Sequence, residues 1–170
     1  SGIHGFTKSL AMDPLNARTF RVKGAISYAA GRYAEAVTEL GKGLELNPTL
    51  GTVRAGIGWA LLMQKKFPQA KVSFAEEKNT LFGLPGLAII ADKMGDKFAA
   101  QHMLAQLVSE HGDNGLYQQA QVYAQWGKGD QAITTLLAAR RAGDSGLIQM
   151  YNDPALSPIR NRLEFSHLLK

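Results

Sequence analysis

Few residues in this sequence are placed to do chemistry. Four histidines occur, His4, His102, His111 and His167. A histidine can act as a base or metal ligand near neutral pH. No pair of them has the spacing of an H-E-x-x-H helix or a comparable ligand set. Surface and helix-end positions account for them, with His102 expected on a solvent-facing helix side. Gly41-Lys42-Gly43 and Gly56-Ile57-Gly58 look like pieces of phosphate loops. Both lack a strand context, a G-K-[ST] ending and the full G-x-G-x-x-G pattern. Glu76-Glu77 is a carboxylate pair, yet adjacent residues on a helix point apart. No Ser/His/Asp arrangement can be assembled. The chain is therefore expected to be no enzyme, with no cofactor and no metal.

Composition narrows the classes further. The 170 residues include no cysteine, which excludes a disulfide scaffold, a thiolate metal site and a cysteine nucleophile. The net charge of +5 is scattered, with no basic block, so no nucleic-acid partner is expected. The most apolar stretch, Leu81 to Ala91, contains Pro85 and falls far short of the ~20 residues of a membrane span. The 18 glycines exceed the usual ~7% and need a positional explanation.

That explanation is a repeat. Asp13-Pro14 and Asn47-Pro48 lie 34 residues apart. Between them Ala17 to Ala30, with Asn16 as N-cap, predicts one helix. Gly31 ends it, and Tyr33 to Leu46 predicts a second, which stops before Asn47-Pro48. With Ala17 as position 1, Phe20 stands at 4, Gly24 at 8, Gly31 at 15, Tyr33 at 17, Ala36 at 20, Leu40 at 24, Gly43 at 27 and Pro48 at 32. This unit resembles a tetratricopeptide repeat, and Gly31-Arg32-Tyr33-Ala34-Glu35-Ala36 is similar to that family's G-x-Y-x-E-A turn. Further units open at Gly51, Leu81 and Asp113. In all four, positions 8 and 20 are small: Gly24 and Ala36, Gly58 and Ala70, Ala88 and Ala100, Ala120 and Ala132. A close crossing of the two helices needs small residues there. Arg54 at position 4 and Glu77 at position 27 of the second unit depart from the family pattern. Pro85 is expected in the first turn of its helix, where proline is tolerated.

The resemblance implies an all-α fold, a right-handed superhelix of antiparallel helix pairs with C-terminal capping helices. One array is expected over 1–170: a half-repeat at 3–14, repeats at 17–50, 51–80, 81–112 and 113–144, and a capping tail at 145–170. The opening half-repeat suggests the C-terminal part of a longer protein, with Ser1-Gly2 as a cloning remnant. The tail, Asp153-Pro154-Ala155-Leu156-Ser157-Pro158-Ile159-Arg160 with Leu163, Phe165 and Leu168-Leu169, resembles the ending of bacterial repeat regions fused to class III adenylate/guanylate cyclases or winged-helix regulators. Leu163-Glu164 stands where that pattern has Pro-Arg.

In the family, positions 2, 5, 9, 12 and 13 of each first helix line a concave groove. The residues so implied for partner binding are Arg18, Arg21, Tyr28, Trp59, Leu62, Met63, Phe82, Ile89, Tyr117 and Gln121. Trp59, Leu62, Met63 and Phe82 form an apolar cluster suited to anchoring a peptide. Packing between successive first helices is the other reading of Trp59 and Phe82. The clamp that binds chaperone C-termini would fall on Arg21, Ala25, Gly56, Phe82 and Gly86. Only Arg21 is chemically close, so that ligand is not expected. The expected function is a non-catalytic protein–protein interaction module, the regulatory or scaffolding part of a larger bacterial signalling protein. A small-molecule or peptide sensor and an oligomerisation module are the alternatives. Expected partners are a protein or peptide, or a second copy in a homodimer. The expected compartment is cytoplasmic, with periplasmic as the alternative.

Overall fold

The computed structural model describes residues 14–170, and side chains from Asn16 onward. The half-repeat expected over 3–14 lies outside the described residues, apart from Pro14. Every element described is helical. They are α1 (Pro14–Ala29), α2 (Tyr33–Leu46), α3 (Val53–Met63), α4 (Phe67–Glu76), α5 (Thr80–Lys93), α6 (Lys97–His111), α7 (Leu116–Gln125), α8 (Gly129–Ala142) and α9 (Leu163–Leu168). Three 3₁₀ segments, Gly112–Gly115, Ser145–Asn152 and Pro154–Ile159, complete the second half. The chain forms two compact units, one ending at Glu77 and the other running from Lys78 to Lys170. The first unit holds α1 to α4 and the second holds the rest. None of the described helices is long and apolar enough to cross a membrane.

Successive helices pair: α1 with α2, α3 with α4, α5 with α6 and α7 with α8. The first two pairs close by the same small-into-large contact, and the other two carry small and bulky residues at the same positions. All eight residues at positions 8 and 20 are buried. So are the bulky residues at position 24, Leu40, Phe74, Leu104 and Leu136. A Cβ built on Gly24 would stand 2.5 Å from Leu40 Cγ, and one on Gly58 would stand 2.8 Å from the Phe74 ring. Position 8 is thus the hole and position 24 the knob. The pattern on each second helix follows from this. In α2, Ala36, Leu40 and Gly43 fall on one stripe and are its buried residues.

The turns inside the pairs are also alike. Arg32, Lys66, Asp96 and Lys128 donate their backbone N–H to the carbonyls of Ser27, Leu61, Ala91 and Tyr123, at 2.8 to 3.0 Å. Those acceptors recur at intervals of 34, 30 and 32 residues. The residue before each donor is left-handed: Gly31 (φ 78°), Lys65 (φ 60°), Gly95 (φ 87°) and Gly127 (φ 75°). This is the Schellman ending, which glycine adopts without steric cost and lysine does not.

Two helix starts differ from the sequence expectation. Asn16 lies inside α1 rather than capping it, because helical structure already begins at Pro14. The α5 helix begins at Thr80, where the Asn79 side chain accepts from Leu81 N at 3.1 Å. Pro85 therefore sits in the second turn, beyond the positions where a missing N–H costs nothing. Burial of Gly83, Leu84, Pro85 and Gly86 holds the helix together there. The two departures from the family pattern have their own partners. The Arg54 side chain donates to Pro48 O at 2.9 Å, tying down the loop before α3. Glu77 accepts from Ala55 N at 3.2 Å and so serves the N-terminal turn of α3, which Thr52 leaves without a side-chain cap.

Two substitutions should act in opposite directions. Gly58→Ala must displace the buried Phe74 ring and is expected to lower stability by about 1–3 kcal/mol. Lys65→Gly relieves a left-handed lysine and is expected to raise it by about 1 kcal/mol. Denaturant melts of the two variants check both signs.

Candidate functional site

The residues expected to bind a partner fall into three situations. In the first unit, Arg18 on α1 is exposed, while Arg21 and Tyr28 are partly exposed. Tyr28 packs against Tyr33 with ring centroids 5.7 Å apart. On α3, Trp59 and Met63 are partly exposed, and Trp59 stands edge-on to Phe74 at 5.5 Å. Trp59 thus has one side in the pair's core and one side outside. In the second unit Phe82 is partly exposed on α5.

Four of the expected residues are not on the surface. Leu62 is 4% exposed on α3, which packs against both α2 and α4. Ile89 is fully buried on α5, which packs against both α6 and α7. Tyr117 is fully buried and Gln121 nearly so, and the cause is the chain's own tail. The Tyr117 hydroxyl donates to Asp153 Oδ2 at 2.6 Å, and Gln121 Nε2 donates to the same oxygen at 2.8 Å. The Asp153 Oδ1 atom accepts from Ala155 N at 2.9 Å. One helical turn further along, Gln125 Nε2 donates to Ala155 O at 2.8 Å. Positions 5, 9 and 13 of this first helix therefore grip Asp153 and Ala155 instead of a foreign ligand.

The tail is held from its own side as well. Asp144 accepts from Tyr117 N at 3.0 Å and from Gly146 N at 2.8 Å. The Arg160 guanidinium donates to Tyr151 O and Asp153 O, both at 2.6 Å. Beneath this polar layer, Met150, Leu156, Ile159, Phe165 and Leu168 join Tyr117, Ile133 and Leu136 in one core. Sequence reasoning passed over Asp144, Asp153 and Arg160 as functional groups. The usable signal was an aspartate directly before each of the tail's two 3₁₀ segments, where its carboxylate accepts a backbone N–H two residues on.

Two further contacts tie successive pairs of the second unit. Trp126 Nε1 donates to Ala88 O at 3.3 Å, and Lys93 Nζ donates to Gln125 O at 3.0 Å. At the other end of α5, Thr80 Oγ1 donates to Glu110 Oε2 at 2.6 Å and lies 2.8 Å from His111 Nε2. The Thr80 hydroxyl holds the Glu110 carboxyl below its ordinary value. The Gln106 amide acts the same way, partial desolvation opposes it, and the nearby His111 adds to the lowering. His102 is exposed. Among the described residues no group of three or more His, Asp or Glu is placed to hold a metal ion.

Asp153→Ala leaves a buried phenol, an amide and a backbone N–H without their acceptor. It is expected to cost about 2–4 kcal/mol, measured by urea unfolding, with Tyr117→Phe costing about 1 kcal/mol. The Glu110 clasp has its own pH signature. A carboxyl with a lowered native pKa adds stability that is complete above its ordinary value of 4.5 and fades as pH falls through the native one. Glu110→Gln is expected to flatten that part of the acid limb in melting curves taken between about pH 6 and pH 3.

Compared with protein-family models and with curated proteins, the chain matches none of them.

Proposed function

We propose that this chain is a non-catalytic protein-interaction module whose binding surface lies on α1 and α3 of the first unit. The observation that carries this reading is a stripe on α1. Arg18, Val22 and Ile26 recur every four residues and so share one face. Arg18 is exposed, and Val22 and Ile26 are 54% and 58% exposed. Single exposed apolar side chains are ordinary, but an apolar stripe beside cations suits association. Arg21 adds a second cation on the same helix. Trp59 and Met63 add partly exposed apolar surface on α3, which lies against α1. Such a surface fits an acidic segment carrying apolar side chains, with guanidinium forks taking carboxylates.

The tail's resemblance to repeat regions fused to cyclases or winged-helix regulators supports a regulatory or scaffolding role within a larger bacterial signalling protein. In that role the module would recruit the partner on which the output domain acts, or by which it is controlled.

The test is a charge reversal that leaves the core alone. Arg18→Glu with Arg21→Glu is expected to leave the melting temperature nearly unchanged. It should weaken partner capture by about tenfold or more, since two charge-assisted contacts of ~1 kcal/mol are lost and two repulsions gained. A photo-crosslinker at Val22 identifies what is captured. Equal capture by the double variant would remove this surface from consideration. A concentration-dependent mass in light scattering that the same variant abolishes would make the partner a second copy.

A further inference from the structure

The first unit ends at Glu77 and the second begins at Lys78, and each has a hydrophobic core of its own. Ala17, Leu40, Leu50 and Val53 form one core in the first unit. Tyr117, Leu136, Leu156 and Phe165 belong to another in the second. Glu77, Lys78 and Asn79 lie outside any helix, between α4 and α5. Glu77 (φ −71°, ψ 117°) and Asn79 (φ −84°, ψ 107°) are extended. The two are tied in opposite directions along the chain. Glu77 accepts from Ala55 N in the first unit, and Asn79 accepts from Leu81 N in the second. Lys78 between them is exposed.

Lys78 differs from the other basic residues. From Arg18 to Arg162, every other lysine and arginine either lies within an α-helix or donates its backbone N–H to a carbonyl. Arg32, Lys65, Lys66 and Lys128 do so in the turns inside the pairs, and Arg160 and Arg162 do so in the tail. Among the described residues Lys78 has neither tie, and its ammonium enters no ion pair.

We propose that the Lys78–Asn79 bond is a processing site for a lysine-specific serine endoprotease, and that the cut leaves both units folded. Such an enzyme takes its substrate as an extended segment, with the side chain before the scissile bond free to enter a pocket. Backbone held in a helix or a Schellman turn offers this only after local unfolding. The segment from Glu77 to Asn79 offers it already, and the Lys78 ammonium suits a pocket closed by a carboxylate. The flanking residues are the last turn of α4 and the first turn of α5, the parts of a helix that fray at least cost. In the reaction the protease's serine attacks the Lys78 carbonyl carbon, and the C–N bond to Asn79 breaks. Water then releases the acyl group, so Lys78 gains a carboxylate and Asn79 an amine. Neither core loses a residue, and the ties of Glu77 and Asn79 each stay within one fragment. The cut removes the covalent link between the α1 and α3 surface and the unit that carries the tail.

The experiment is limited digestion of the whole chain with trypsin and, separately, with a lysine-specific endoprotease, read by intact-mass spectrometry. Of the sites from Arg18 to Arg162, Lys78 is expected to be cut first by both enzymes, about tenfold or more faster than the next. The nicked chain should keep its helical circular dichroism. It should also keep the emission of Trp59, which reports the first unit, and of Trp126, which reports the second. Lys78→Gln should slow the first cut among these sites by about tenfold and leave the melting temperature unchanged, because the side chain is exposed. Lys66→Gln, in the turn of the second pair, should leave the rate of cutting at Lys78 as it was. A first cut at Lys65, Lys66 or Lys128 overturns the proposal, since the turns would then open more readily than the junction. Loss of the helical signal or of either tryptophan's emission on nicking overturns it too, since neither unit would then hold its fold alone. Partner capture is not among the readouts, so the outcome does not depend on what the α1 surface binds.

Discussion

The structure depends on how closely two helices can approach at one residue pair in each repeat. A bulky side chain on the second helix seats against a backbone made bare by glycine or alanine on the first. Leu40 on Gly24 and Phe74 on Gly58 show the contact directly, because even a methyl group at the glycine would overlap the knob. Close packing of this kind has one geometry, unlike a general apolar face. Once the knob is seated, the rotation of both helices is set. The residues left on the outer side of the first helix follow from that rotation. Arg18, Val22 and Ile26 come to one surface because Ala17 and Gly24 must face inward.

This constraint was legible in the sequence because it is local and steric. Position 8 and position 20 are twelve residues apart, and the turn between them is a short Schellman ending. The structure adds one exception. Lys65 occupies the slot of Gly31, Gly95 and Gly127 and adopts their left-handed conformation, with the turn's hydrogen bonds intact. Tertiary closure overrides a residue preference of ~1–2 kcal/mol. Arg54 and Glu77 do not have the residue types that the repeat pattern puts at positions 4 and 27. Each instead satisfies backbone groups that the loop and the start of α3 leave open.

Surface exposure was much less legible. Repeat register says which way a side chain points, and it is silent on what lies across from it. Tyr117 and Gln121 hold register positions at which partner binding is expected, yet the tail covers them. The tail has no periodicity to read. It runs in 3₁₀ segments, whose poor internal hydrogen bonding leaves carbonyls and amides to be met by side chains. Asp153 alone meets Tyr117, Gln121 and Ala155 N, and Arg160 meets two carbonyls. A path determined by side chain–backbone bonds depends on geometry across some thirty residues of chain, which no local pattern encodes.

The same polar layer explains how the tail is held on the second unit. Under an apolar helix face Tyr117 and Gln121 could not satisfy their polar atoms without a buried acceptor. Asp153 supplies that acceptor and is itself tolerable inside only because three donors surround it. Each of the three groups makes the burial of the others possible, so the helix face and the tail segment specify one another. That mutual dependence gives the polar face of α7 its partner within the chain.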